Sequence, residues 1–162
     1  MKNLLGLLVS VIMFCSCNAQ VYRIQKAQAF FTVSVPGMQR VDDNGNPVNA
    51  QPNTERFIYL ECRFNGKPKI DAVSYNEILF TASIADKKET ILKIGIKKEN
   101  GNPVVLSPKK GNAIWKIYLQ QTTGKILPHD AAKRITIKGK LDKVKFSTVI
   151  TAETELTTPD MY

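Results

Sequence analysis

Every second residue is apolar in one segment of this chain after another. Ile58, Leu60, Cys62 and Phe64 share one side of Thr54–Phe64, and Leu92, Ile94 and Ile96 share one side of Thr90–Ile96. In Ala113–Gln120, Trp115, Ile117 and Leu119 alternate with Lys116, Tyr118 and Gln120. A period of two marks a strand with one face in a core and the other towards solvent. Wound as a helix, Thr90–Ile96 would show no coherent apolar stripe. The β-branched and aromatic content of these segments points the same way.

Further strands are expected at Tyr22–Val35, Lys69–Val73, Ile78–Ala85, Val104–Leu106, Arg134–Lys138 and Val144–Ala152. Turn chemistry separates them. Asn65-Gly66 signals a hairpin from Thr54–Phe64 back into Lys69–Val73. Asn100–Pro103 and Pro108–Asn112 turn the chain again, and Gly139–Asp142 links the last two strands. Residues 37–53 read as a long loop, and Leu127–Lys133 allows at most a single helical turn. About seven to nine short strands without helices predict an all-β chain. The expected architecture is a single two-sheet sandwich, immunoglobulin-like or jelly-roll, with a small β-barrel as the alternative. Its core should gather Ile58, Leu60, Cys62, Leu92, Ile94, Trp115, Ile117 and Leu119. The sandwich domain is expected over residues 20–153. Thr154–Tyr162 reads as a C-terminal tail, since Pro159 opposes further sheet.

Residues 1–19 read as a secretory signal peptide. Lys2 gives a basic start, Leu4–Phe14 an apolar run, and Cys17 and Ala19 the small residues before Gln20. The run of about eleven residues is too short for a permanent span. A competing reading makes Cys17 the lipidated first residue of a lipoprotein, although Phe14 and Cys15 form a poor lipobox. The hydrophobic segment ending in Asn18, Ala19 and Gln20 resembles exported proteins of Bacteroidetes bacteria. That resemblance implies the periplasm or the cell exterior.

Export narrows the chemistry. Cys15 and Cys17 fall in the leader, so Cys62 has no intramolecular disulfide partner and the apolar core has to hold the fold. Alternation puts Cys62 with the core, as a small hydrophobe rather than a nucleophile. The net charge of +9 suits an anionic surface or polymer, and the compartment weighs against nucleic acid. His129 is the sole histidine. Zinc and EF-hand patterns, phosphate loops and hydrolase signatures are missing from the sequence. Asp42, Asp43, Asn44 and Asn46 read as an Asx-rich turn, and His129-Asp130 as a capped turn. Glu61, Asp71, Glu77, Glu89 and Asp130 are the acids from which a two-carboxylate hydrolase would be built, and they are expected to scatter. No catalytic residue, metal or cofactor is assigned.

Phe57, Tyr59 and Tyr118 fall opposite the expected core face, as do Lys93 and Lys116. An aromatic strip among lysines is the candidate ligand-binding surface, expected on the Tyr59–Tyr118 side or near the 37–53 loop; the alternative is that the 37–53 loop or the C-terminal tail folds over the rings and covers them. The leading expectation is an exported, non-catalytic module that binds a protein or a glycan or lipid component of the cell envelope. The alternatives are a carbohydrate-binding module for anionic glycans and a two-carboxylate hydrolase.

Overall fold

The computed structural model describes residues 23–34, 41–44, 52–63, 66–85, 91–121 and 131–157. Within them the chain is all-β, with ten strands and no helix. Residues 1–22, most of the 37–53 loop, Phe64, Asn65, Glu89, His129 and Asp130 lie outside the described residues. In chain order the strands are β1 (Ile24–Ser34), β2 (Asn53–Arg63), β3 (Lys69–Tyr75), β4 (Ile78–Ile84) and β5 (Leu92–Ile96). They continue as β6 (Pro103–Leu106), β7 (Asn112–Gln121), β8 (Ile135–Leu141), β9 (Val144–Ile150) and β10 (Glu153–Leu156).

Eight strands form one sheet in the order β10-β1-β2-β7-β4-β3-β8-β9, and β5-β6 form a second. All pairings are antiparallel except that of β10 with β1. The large sheet curls until β9 comes against β1. The layering is that of a β-sandwich whose main sheet bends towards a half-barrel. The enclosed face carries Ala29, Ile58, Leu60, Cys62, Val73, Tyr75, Trp115, Ile117, Ile135 and Ile137, with Leu119 packed at their margin. On the outer face the β5-β6 hairpin covers a second cluster of Phe30, Phe57, Tyr59, Ile114 and Leu156. Leu92 and Ile94, expected in the main core, belong to this second cluster. They sit on the hairpin, and a two-stranded sheet has only one face to bury.

The turns explain which hairpins form. Asn76 and Glu77 between β3 and β4 have φ of 45° and 73°, and Asp142 and Lys143 between β8 and β9 have 48° and 68°. Two successive residues at positive φ make the tight connection whose twist matches the strands. Gly139 was expected in the β8–β9 connection but lies inside β8, opposite Phe146. A Cβ there would come 2.4 Å from the Lys69 carbonyl oxygen and 2.9 Å from the Phe146 ring, so the position requires glycine.

Two other expectations are corrected. β2 and β3 do not form the hairpin signalled by Asn65-Gly66, because β1 and β7 occupy both edges of β2. Thr154–Leu156, read as the start of the tail, instead continues from Glu153 as the strand β10, in parallel register with Ala29–Thr32. Parallel pairing over that sequence distance has no local turn to announce it. β10 also ties the hairpin down: Thr157 N–H donates to the Ile96 carbonyl at 2.9 Å, and Lys98 pairs with Glu155 at 2.6 Å.

One end of the core holds a buried ion pair. The Arg56 guanidinium on β2 meets the Glu153 carboxylate on β10, and the Ala132 amide donates to the same oxygen at 3.0 Å. Arg56 lies 5.0 Å from the Phe31 ring centroid and 5.5 Å from that of Tyr75. The Tyr75 hydroxyl is near enough to bear on Glu153, yet neither it nor Glu153 Oε1 completes a well-formed hydrogen bond. Burial raises the Glu153 pKa, against the opposing pull of the Ala132 amide and Arg56. Burial also pushes the Tyr75 phenol well above its ordinary range, with Glu153 adding to the effect.

A raised carboxyl pKa means that the native state holds its proton where the unfolded chain has lost it. The Glu153 contribution to stability therefore declines as pH rises above 4.5, its ordinary value. In urea titrations, the wild-type midpoint should fall relative to that of Glu153→Gln as pH rises above 4.5. A gap that does not change with pH contradicts this.

Candidate functional site

The aromatic strip exists in register. Phe57 stands opposite Tyr118, and Tyr59 opposite Lys116, on the outer face of β2 and β7. Lys116 Nζ lies 4.6 Å from both the Phe57 and the Tyr118 ring centroids. The strip is not an open surface, however. Phe57 and Tyr59 are only 6% and 5% exposed, beneath β5 and β6, whereas Tyr118 is 43% exposed. The cover is the β5-β6 hairpin, and it has a simple cause. Alternation shows that two residues share a face but not what lies upon it, and the hairpin has its own apolar side to bury. Lys93 is exposed on β5 opposite Val105, on the hairpin rather than in the strip.

Beside Tyr59 is a niche of about 180 Å³, also lined by Lys26, Gln28, Glu61 and Ser107. Glu61 Oε1 accepts from the Lys109 amide at 3.0 Å and from the Asn112 side-chain amide. This carboxylate thus fastens the β6–β7 connection to β2. The connection leaves Glu61 buried. Asp71 and Glu77 sit elsewhere, Asp71 at an irregularity in β3 and Glu77 in the β3–β4 turn. Asn44 N–H donates to Asp42 Oδ1 at 3.0 Å, which is an Asx turn. Among the described residues, no three His, Cys, Asp or Glu side chains group as metal ligands do.

The larger cavity lies away from the strip, at the β3-β8-β9 end of the sheet. It measures about 720 Å³. Ile24, Leu141, Val144 and Phe146 line it, together with the basic residues Arg23, Lys138 and Lys145. Asp71 is the one acid among its described lining residues. Register irregularities flank it, at Ile24/Lys26 in β1 and at Ile70/Ala72 in β3. Such bulges bend a strand and re-aim its side chains. β9 is an edge strand that hydrogen-bonds only to β8. Arg23 bridges the cavity's margin, donating to Asp142 at 2.9 Å and more weakly to the Leu141 carbonyl at 3.4 Å.

No residue of this cavity was singled out from the sequence as a binding residue. The available signal was Gly139, a glycine within a strand pattern, which marks a close approach. Its lining comes from three separate stretches of chain, so no motif could announce it.

Two measurements test these placements. Tyr59→Ala should cost about 3–5 kcal/mol of stability, as for a buried aromatic, while Tyr118→Ala should stay within about 0.5 kcal/mol. Equal losses would contradict the covered strip. Burial, with Glu61 and then Asp142 adding to it, pushes the Cys62 thiol up to about 12. Protein lacking residues 1–19, whose one cysteine is Cys62, should therefore leave an aromatic disulfide reagent unreacted at pH 8 and release one equivalent of thiol only on unfolding. Rapid labelling of the folded protein would contradict it.

Compared with known proteins, the chain matches no family model, no curated protein and no solved structure.

Proposed function

We propose that this chain is an exported, non-catalytic β-sandwich module that binds a component of the cell envelope in the cavity beside β9. The observation that carries the reading is the cavity's lining. Apolar walls with a few polar groups, in a volume of about 720 Å³, fit the general form of small-molecule sites. The basic excess of the chain favours anionic partners. The leader-like first nineteen residues supply the envelope location.

The glycan reading draws on Tyr118 and Lys116. A single exposed ring stacked with one lysine offers a sugar much less than three open rings would. The cavity reading is therefore preferred.

Amide chemical shifts of the mature protein, titrated with fractionated envelope extract, test it directly. The expected perturbations fall on Arg23, Ile24 and residues 138–148. Shifts centred on Lys116 and Tyr118 with a polysaccharide fraction would favour the glycan reading. No shifts with any fraction would remove support for both.

A further inference from the structure

We infer that the outer face of β3, β8 and β9 seats this protein on an anionic lipid surface. Register defines the face. Lys69, Lys140 and Lys145 stand directly opposite one another across the three strands. The next outward row holds Ala72, Lys138 and Ser147. Beyond it come Ser74, Thr136 and Val149, with Leu79 of β4 opposite Ser74. Ile135, Ile137 and Leu141 alternate with the β8 members of these rows and are buried in the core, so the rows project outwards. The β5-β6 hairpin covers the outer face over β1, β2 and β7. Over β4 and β9 that face stays open, with Leu79 62% and Val149 46% exposed.

The lysines supply the charge complementarity. Like charges directly opposite on neighbouring strands repel, and a face that is merely solubilising intersperses both signs. No outward position in these rows is acidic. Among the described residues, none of the four lysines has an ion pair. The neighbouring acids are engaged or displaced: Asp142 pairs with Arg23, and Asp71 sits in the irregularity of β3, outside the register. A layer of anionic headgroups relieves the repulsion. Leu79 and Val149 then decide between anions. A soluble polyanion gives them nothing to bury, whereas the headgroup boundary of a bilayer accepts charge and apolar side chains together. Lys138 and Lys145 reach the rim of the cavity beside β9 but point outwards, so this surface stands independently of the cavity reading.

Flotation with lipid vesicles provides the test, using protein lacking residues 1–19 so that the leader cannot itself insert. Vesicles containing phosphatidylglycerol should retain the protein, and vesicles of phosphatidylcholine alone should not. Each lysine at an anionic surface is worth about fivefold in affinity. Lys69→Gln/Lys140→Gln/Lys145→Gln should therefore weaken retention about a hundredfold, without lowering the melting temperature, since it removes like-charge neighbours. Lys93→Gln/Lys109→Gln/Lys110→Gln makes the same change in net charge away from this face and should leave retention nearly intact. Leu79→Ser/Val149→Ser should weaken it about tenfold. Equal losses from the two lysine variants overturn the inference in favour of net charge alone. Equal retention on the neutral vesicles overturns it as well. Capture by a soluble sulfated polysaccharide, with no retention on the anionic vesicles, overturns it in favour of a polymeric partner.

Discussion

Strand β2 is buried on both faces. From Arg56 to Cys62 every residue is buried, and much of the remaining architecture answers that demand. Ile58, Leu60 and Cys62 need the curled sheet to close over them, which brings β3, β8 and β9 across from β2. Phe57 and Tyr59 need a cover on the other side, and the β5-β6 hairpin provides it. A strand with both faces dry also needs both backbone edges paired, since an unpaired buried amide or carbonyl is costly. β1 and β7 meet that need over nearly the full length of β2.

Arg56 is the awkward member of that strand. Its charge points into the core, where an unpaired guanidinium would be strongly destabilising. Glu153 answers it from β10, Ala132 anchors the same carboxylate from the segment before β8, and Phe31 and Tyr75 offer ring faces. One ion pair thus links β2, β10 and the approach to β8, segments far apart in sequence. Breaking either partner would leave a lone buried charge, so the pair acts more through the cost of its loss than through net attraction.

The two candidate surfaces differ in what the fold has already used. The strip on β2 and β7 serves as the floor for the hairpin, and its aromatic rings are largely committed to packing one another: Phe57 meets Phe30 at 6.1 Å and Tyr59 at 5.8 Å. The cavity beside β9 is not committed in this way. It lies where the curl of the sheet is incomplete, between an edge strand and the irregular start of β1. Apolar side chains there, such as Val144 at 50% exposure, have no internal partner to cover them fully.

Period-two alternation sufficed to determine the all-β class, the strands β2, β4, β5 and β7, and the inward side of Ile58, Leu60, Cys62, Trp115 and Ile117. These follow from local chemistry, because the geometry of a strand fixes which side chains share a face. The partner of each face and edge was decided only by the tertiary structure. Asn65-Gly66 suggested that β2 would pair with β3, but competition for the edges of β2 went to β1 and β7. Thr154–Leu156 looked like tail until parallel pairing with β1, and the Arg56 charge met by Glu153, gave β10 a place. Whether Phe57 and Tyr59 lie open, and under what, was not legible because a pattern of alternation carries no information about a hairpin arriving from β5 and β6. The cavity was hidden for the same reason. Arg23, Lys138 and Phe146 acquire a common meaning only once the sheet curls and brings their strands together.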